Sequence, residues 1–261
     1  MPFFFGGKTV QQRMRGGQVV LSSIFACLLL GVSMAAEVAD TMDGRRERMV
    51  ATIEQLVRET QRETGRATLA PQVIAALRKV ERQRFVPEYA AAQAYDDSPL
   101  TIGNGQTISQ PFIVALMTDM LEVKPGDQVL EVGTGSGYQA AVLAELVRAV
   151  YSIEIIEPLG RAAARALTAA GYRNVHTRIG DGYAGWPEQA PFDAMMVTAA
   201  APEVPQPLID QLKPGGRLVI PVGDPARLQT LYLITKDARG AVAKRKVLDV
   251  RFVPLTRLPS D

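Results

Sequence analysis

The chain has 261 residues, 47% of them hydrophobic and 21% charged, which suits a globular protein with one sizeable domain and appendages. Its formal net charge of +2 is too small to argue for nucleic acid or an anionic membrane surface as a partner. A single cysteine, Cys27, and a single histidine, His176, leave no material for a disulfide framework, a cysteine-rich metal site or a histidine-driven nucleophile relay.

Residues 1–36 differ from the rest. Lys8, Arg13 and Arg15 precede an apolar run, Val19 to Val32, and small residues follow with a candidate cut after Ala35. These are the parts of a secretory signal peptide, and the run is too short to span a bilayer. The alternative is a cytoplasmic protein whose translation starts at Met34 or Met42. The expected organisation is a leader over 1–36, a helical segment and loop over 43–111, and a core over 112–258.

From Gly44 to Gly65, Met49, Ile53, Leu56 and Val57 recur at helical spacing. Pro71 suits the first turn of a second helix, Gln72 to Arg82. Phe85-Val86-Pro87 ends it, and Glu88 to Asp97 leads away as a link. Leu100 to Pro111 has little periodicity and two glycines, and it reads as a loop bearing Asn104, Gln106, Thr107, Ser109 and Gln110. Phe112 to Leu121 is then a helix.

From residue 127 onward strands and helices alternate. Strands are expected at Gln128–Val132, Ala149–Ile153, Val175–Ile179, Phe192–Thr198 and Arg217–Val222. Helices are expected over 139–148, 158–170 and near 205–212. Two final strand-like runs, Leu228–Thr235 and Val247–Val253, have no helix between them and read as an antiparallel pair at the edge. The pattern is that of an α/β, doubly wound, mostly parallel sheet with an N-terminal helical extension.

Ligands in such a sheet lie at the carboxyl ends of the strands. The first strand ends in Glu131 and the turn Gly133-Thr134-Gly135-Ser136-Gly137-Tyr138. A glycine turn opening a helix can bring backbone N–H groups close to a ligand. Glu131 would repel a pyrophosphate and pair with a cationic amino group, and the spacing is G-x-G-x-G rather than the dinucleotide G-x-G-x-x-G. S-adenosylmethionine, cationic and without phosphate, therefore fits better than NAD. The second strand ends at Glu154, where an acid can accept both ribose hydroxyls. The third ends in Gly180-Asp181-Gly182, whose Asp181 could bond an adenine amino group. The fourth ends in Thr198-Ala199-Ala200-Ala201-Pro202, small enough to leave room for a substrate. Plainer readings stand beside these: Glu154 as a helix-cap acid, Asp181 as a turn residue, Ser109 as an idle hydroxyl, and His176 and Trp186 as structural.

The segments Arg84–Pro87 (RFVP), Ile102–Pro111 (IGNGQTISQP), Val129–Gln139 (VLEVGTGSGYQ) and Val150–Glu154 (VYSIE) together resemble the protein-L-isoaspartate (D-aspartate) O-methyltransferase family. Gly180–Gly182, Ala190–Asp193, Val197–Pro202 (VTAAAP), Gly215–Gly223 and Val250–Leu255 extend the resemblance in consistent order over roughly residues 45–256. Many relatives carry histidine at position 104, where this chain has asparagine. The resemblance implies a Rossmann-like fold and methyl transfer from S-adenosylmethionine to the α-carboxylate of L-isoaspartyl and D-aspartyl residues in damaged proteins. It also implies a catalytic Ser109 that holds the substrate carboxylate, a cofactor side made by Glu131, residues 133–138, Glu154, Asp181 and Gly182, and a substrate side made by Ile102, Gln106, Thr107, Ser109, Thr198, Ala199, Ala200 and Pro202. No metal, nucleic acid or stable membrane span is expected, and a monomer is. Family and cofactor supply point to the cytoplasm, against the export signal of the leader, which points to the periplasm. The rival functions are a small-molecule methyltransferase and a non-catalytic binding protein on the same fold, with a NAD-linked dehydrogenase third.

Overall fold

The computed structural model describes residues 41–224 and 226–257; the leader therefore lies outside the described residues. An N-terminal group of helices, α1 (Met42–Glu59), the single turn α2 (Gln61–Thr64) and α3 (Pro71–Lys79), precedes a small hairpin of β1 (Leu100–Gly103) and β2 (Gln106–Ile108). Helix α4 (Pro111–Met120) then leads into β3 (Gln128–Val132). The core continues through α5 (Tyr138–Ala144), β4 (Ala149–Glu154), α6 (Glu157–Ala169), β5 (Val175–Ile179), β6 (Phe192–Val197) and α7 (Gln206–Gln211). Strands β7 (Leu212–Val222), β8 (Gln229–Lys236) and β9 (Val242–Val250) complete it.

The seven-stranded sheet has the order β5-β4-β3-β6-β7-β8-β9. Strands β3 to β7 are parallel, while β8 runs antiparallel to β7 and β9 antiparallel to β8, as the helix-free C-terminal runs lead one to expect. The chain moves outward from β3 through β4 to β5, then returns to the other side of β3 as β6. The switch in direction opens a crevice between the carboxyl ends of β3 and β6.

Strand pleating divides the core into two layers. Val129 in β3, Val150 in β4 and Met196 in β6 pack with α1, α3, α4 and α5 on one face. Leu130, Val132, Ile153, Phe192 and Met195 pack with Leu208 of α7 on the other. Glu131 lies between Leu130 and Val132, so it points to the helix-packed face with Val129 and is fully buried there.

Several expected bounds are corrected; the second helix, for one, stops at Lys79 rather than Arg82, and β7 starts at Leu212 rather than Arg217. Leu100–Pro111 is not a plain loop: Leu100 pairs with Ile108 and Thr101 with Thr107. Gly103, Asn104 and Gly105, with φ of 91°, 53° and 69°, make the tight reversal, and no hydrophobic alternation announces it. The helix expected over 139–148 stops at Ala144, where the chain turns into β4. The last strand ends at Val250, and the following residues leave the sheet, with Pro254 bridging Ala200.

Leu130 has no accessible surface and sits centrally in the second layer. Leu130→Ala is expected to lower the unfolding free energy by about 2–5 kcal/mol in a denaturant titration, through lost apolar burial and the cavity left behind.

Candidate functional site

The crevice at the switch point holds a cleft of about 760 Å³, part of it open to solvent. One wall comes from the ends of β3 and β4. Val132, Gly133, Thr134, Gly135, Ser136 and Tyr138 line it, with Ile153, Glu154, Ile155 and Ile156 from the end of β4 and beyond. The opposite wall consists of Gln106, Thr107, Ile108 and Ser109 from the hairpin, Thr198 and Ala199 after β6, and Val253 to Thr256. Gly182 closes the remaining side.

Parallel pairing explains how the turn is held. The Gly133 and Thr134 amides both donate to Ile153 O, at 2.8 and 3.1 Å. The Gly135 amide donates to Glu154 Oε2 at 2.8 Å, and Ile156 N donates to the other carboxylate oxygen at 2.9 Å. Gly137 N donates to Thr134 O at 2.8 Å and Tyr138 N to Ser136 Oγ at 3.3 Å. The expectation that this turn offers several amides to a ligand is thereby corrected, because those amides are satisfied within the protein. A phosphate would find few donors here.

Glycine is required at two positions by close approach. A Cβ on Gly133, at φ 98°, would lie 2.3 Å from Thr198 Oγ1. That hydroxyl instead donates towards Gly133 O, at 2.6 Å, locking the end of β6 onto the turn. A Cβ on Gly182 would lie 2.3 Å from Val132 Cγ1.

Not every expected residue reaches the cleft. Glu131 does not line it; the carboxyl is buried beneath the turn. Ser152, its partner across the β3–β4 pair, donates its hydroxyl to Glu131 Oε2 and lies 2.6 Å from Thr134 Oγ1. Glu131 Oε1 has no hydrogen-bond partner. Burial pushes this acid up to about 8, with the Ser152 bond opposing and the charge of Glu154 adding to the rise. Asp181 accepts from Tyr183 N at 2.9 Å at the head of a short 3-10 turn and is not among the lining residues, unlike its neighbour Gly182. Gly137, Ile102, Ala200 and Pro202 also lie outside the lining, although Ile102 Cδ1 approaches the position of a Gly135 Cβ at 3.6 Å. Ser109 lines the cleft, and its carbonyl accepts from the buried Arg82 at 2.8 Å.

Sequence reasoning missed Ile155, Ile156, Gln139, Val114 and the Val253–Thr256 segment as cleft residues. Two of these carried a signal: Gln139 as the end of the Val129–Gln139 match, and Val253–Leu255 as part of the Val250–Leu255 match. Among the described residues, Glu154 is the one charged side chain in the lining, and no lysine, arginine or histidine joins it there. Such a wall disfavours phosphates and suits a cationic ligand with hydroxyls for a carboxylate to accept. The acceptor present, the Glu154 carboxylate with one amide bonded to each oxygen and lone pairs left over, fits the ribose hydroxyls of an adenosyl group that carries an ammonium and a sulfonium.

The Glu131 shift has a thermodynamic consequence. The folded state favours the neutral acid, so the stability it contributes is complete below the ordinary value of 4.5 and is lost as pH rises towards about 8. Relative to Glu131→Gln, the ligand-free wild type is expected to lose on the order of 1 kcal/mol per pH unit between pH 5 and 8. Denaturant titrations of both proteins across that range read the difference; parallel pH profiles would refute it.

The profile described as Protein-L-isoaspartate(D-aspartate) O-methyltransferase (PCMT) matches residues 51–259. Protein-L-isoaspartate O-methyltransferase 2 of Polaromonas sp. (strain JS666 / ATCC BAA-500) is 59% identical over 208 residues, covering 80% of this chain and 99% of that protein. The protein of the same name from Syntrophobacter fumaroxidans (strain DSM 10017 / MPOB) is 54% identical over 234 residues, covering 88% and 95%. Among solved structures, the Plasmodium falciparum beta-aspartate methyltransferase in complex with S-adenosyl-L-homocysteine superposes with a TM-score of 0.64 at 27% identity, covering 78% of this chain and 98% of that one. A family match that spans residues 51–259 and a relative 59% identical along 99% of its own length show that this chain belongs to the protein-L-isoaspartate(D-aspartate) O-methyltransferase family.

Proposed function

We infer that this protein transfers a methyl group from S-adenosylmethionine to the α-carboxylate of L-isoaspartyl and D-aspartyl residues in damaged proteins. Family membership supports the reading, and the observation that carries it in the structure is the cleft itself. One end presents a carboxylate beside a glycine turn, and the other presents hydroxyl and amide side chains without a general base.

That inventory is sufficient for the chemistry. A substrate carboxylate is already ionised at neutral pH, its free pKa being about 4, and needs no base to activate it. When bound, S-adenosylmethionine supplies a methyl group on a sulfonium, already set for displacement. What the chain provides is alignment and exclusion of water, which together can supply on the order of 7–11 kcal/mol. Glu154 would accept the ribose hydroxyls, and the Gly133–Tyr138 turn would pack against the adenosyl moiety. Ser109 would donate its hydroxyl to the substrate carboxylate, with Gln106 and Thr107 of the same hairpin and Thr198 and Ala199 after β6 bounding the substrate end. Glu131 acts from beneath the turn, Asp181 through the geometry of Gly182, and Ile102, Ala200 and Pro202 as supports of the substrate wall. Once methylated, the former carboxylate is a neutral ester whose carbonyl carbon the following peptide nitrogen can attack; methanol leaves, a succinimide closes, and water can reopen it to aspartate.

No helix among the described residues is long and apolar enough to cross a membrane. We propose a monomer that works in the cytoplasm, where the cofactor is made, and that does not bind nucleic acid.

The test is methyl incorporation into an isoaspartyl peptide and its aspartyl twin. The reading predicts transfer to the first and background with the second; equal labelling, or none, would overturn it. Ser109→Ala is expected to lower kcat roughly 100-fold, because a transition-state contact is lost, while S-adenosylhomocysteine affinity stays within about twofold. Collapse of cofactor binding would remove Ser109 from the substrate side.

A further inference from the structure

Arg82 has no accessible surface, yet it is an arginine. It belongs to a short 3-10 turn, Arg82–Phe85, outside the sheet and outside the cleft lining. Its Nε–H donates to Ala94 O at 2.7 Å, and its Nη2–H donates to Ser109 O at 2.8 Å. The guanidinium carbon lies 4.8 Å from the centroid of the Tyr138 ring, which opens α5 and lines the cofactor side of the cleft. One buried cation therefore touches the residue assigned to the substrate and the residue that follows the glycine turn.

Stability alone gives this arginine little reason to be there. Burying a guanidinium is costly, and replacing buried ionic groups by apolar ones of similar volume is often neutral or stabilising. Here the satisfaction is incomplete, since Nη1 has no hydrogen-bond partner. Burial lowers the pKa to about 10, with Asp97 and the two tyrosines Tyr138 and Tyr95 opposing, so the group stays charged at neutral pH.

Asp97 completes the arrangement from the other side. Its Oδ2 accepts from Gln110 Nε2 at 2.7 Å and its Oδ1 from Phe112 N at 2.8 Å, at the start of α4. The chain is held at Ser109 and just after it: the Ser109 carbonyl by Arg82, the Gln110 side chain and the Phe112 amide by Asp97. With its carbonyl held, the backbone of Ser109 is anchored where the residue lines the cleft.

We propose that Arg82, backed by Asp97, is the positioning residue of the methyl transfer, setting the Ser109 hydroxyl against the cofactor end of the cleft through its contact with Tyr138. The proposal rests on the functional reading above and on the placement of Ser109 at the substrate carboxylate. Arg82 never touches the substrate. Its effect is on alignment, where a misplacement of about 1 Å can cost about 100-fold in rate.

A double-mutant cycle tests it. Wild type, Arg82→Lys, Ser109→Ala and the double variant are assayed for kcat and KM on an isoaspartyl peptide at saturating cofactor. S-adenosylhomocysteine affinity and thermal midpoint are measured on the same samples. Lysine keeps the charge but cannot span both carbonyls, so Arg82→Lys is expected to lower kcat by roughly tenfold or more with cofactor affinity within about twofold. In the Ser109→Ala background the same change is expected to have less than about a twofold effect. Additive losses would overturn the proposal, because a merely structural arginine would slow both backgrounds alike. A matching fall in cofactor affinity would overturn it too. Should Arg82→Lys not fold, Gln110→Ala releases the Asp97 tether from outside the core and is expected to show the same loss of additivity with Ser109→Ala. A wild type without turnover on the peptide overturns the functional reading and this proposal together, whereas an active wild type with additive losses overturns this proposal alone.

Discussion

The amide of Gly135 donates to the carboxylate of Glu154 across the carboxyl ends of two parallel strands, and the cleft takes its shape from that bond. With the Gly133 and Thr134 amides tied to Ile153 O, it folds the glycine turn down onto the end of β4. A turn left open would present its N–H groups as an anion nest; a turn closed in this way presents a carboxylate. The difference decides the ligand class, because an anionic wall without lysine or arginine rejects phosphate and admits a cation. Thr198 closes the same turn from the β6 side, so three strands converge on six residues.

Beneath the turn, the buried pair of Glu131 and Ser152 extends to the Thr134 hydroxyl. Cross-strand register places the two side chains together, and the apolar layer above them keeps the acid neutral over much of the physiological range. The floor of the site therefore carries little fixed charge, and Glu154 is the carboxylate side chain among the described lining residues. The reaction needs no proton taken from the substrate, which agrees with a lining that offers hydroxyls, amides and one carboxylate but no histidine. Catalysis by such a site is a matter of distance and angle.

Much of the architecture could be read from residue pattern, because its causes are local. Apolar runs of five or six residues separated by helical periods predict parallel strands, and listing the acids at strand ends finds Glu154 directly. The glycines at 133, 135 and 137 mark the turn for the same reason, each taking a positive φ. What pattern could not show depends on which groups meet in space. Glu131 sits in the right strand, but only the register with Ser152 and the helix-covered face show that it is buried. The amides of the turn are consumed by β4, a partner that lies about twenty residues away in sequence. The hairpin at 100–108 rests on backbone torsions at Gly103, Asn104 and Gly105, and its faces carry no alternation. Arg82 reads as the polar end of an amphipathic helix, whereas the helix stops at Lys79 and the arginine turns inward to Ser109 and Ala94.

The central claim is that the strand-end carboxylate of Glu154, rather than the glycine turn's amides, selects an adenosyl cofactor. Calorimetric titration of wild type and Glu154→Gln with S-adenosylhomocysteine and with NAD tests it most directly. The wild type is expected to bind S-adenosylhomocysteine and not NAD, and Glu154→Gln to weaken that binding by roughly tenfold or more, since one charge-assisted acceptor is lost. Unchanged affinity in Glu154→Gln, or NAD binding comparable to that of the adenosyl ligand, would contradict the account.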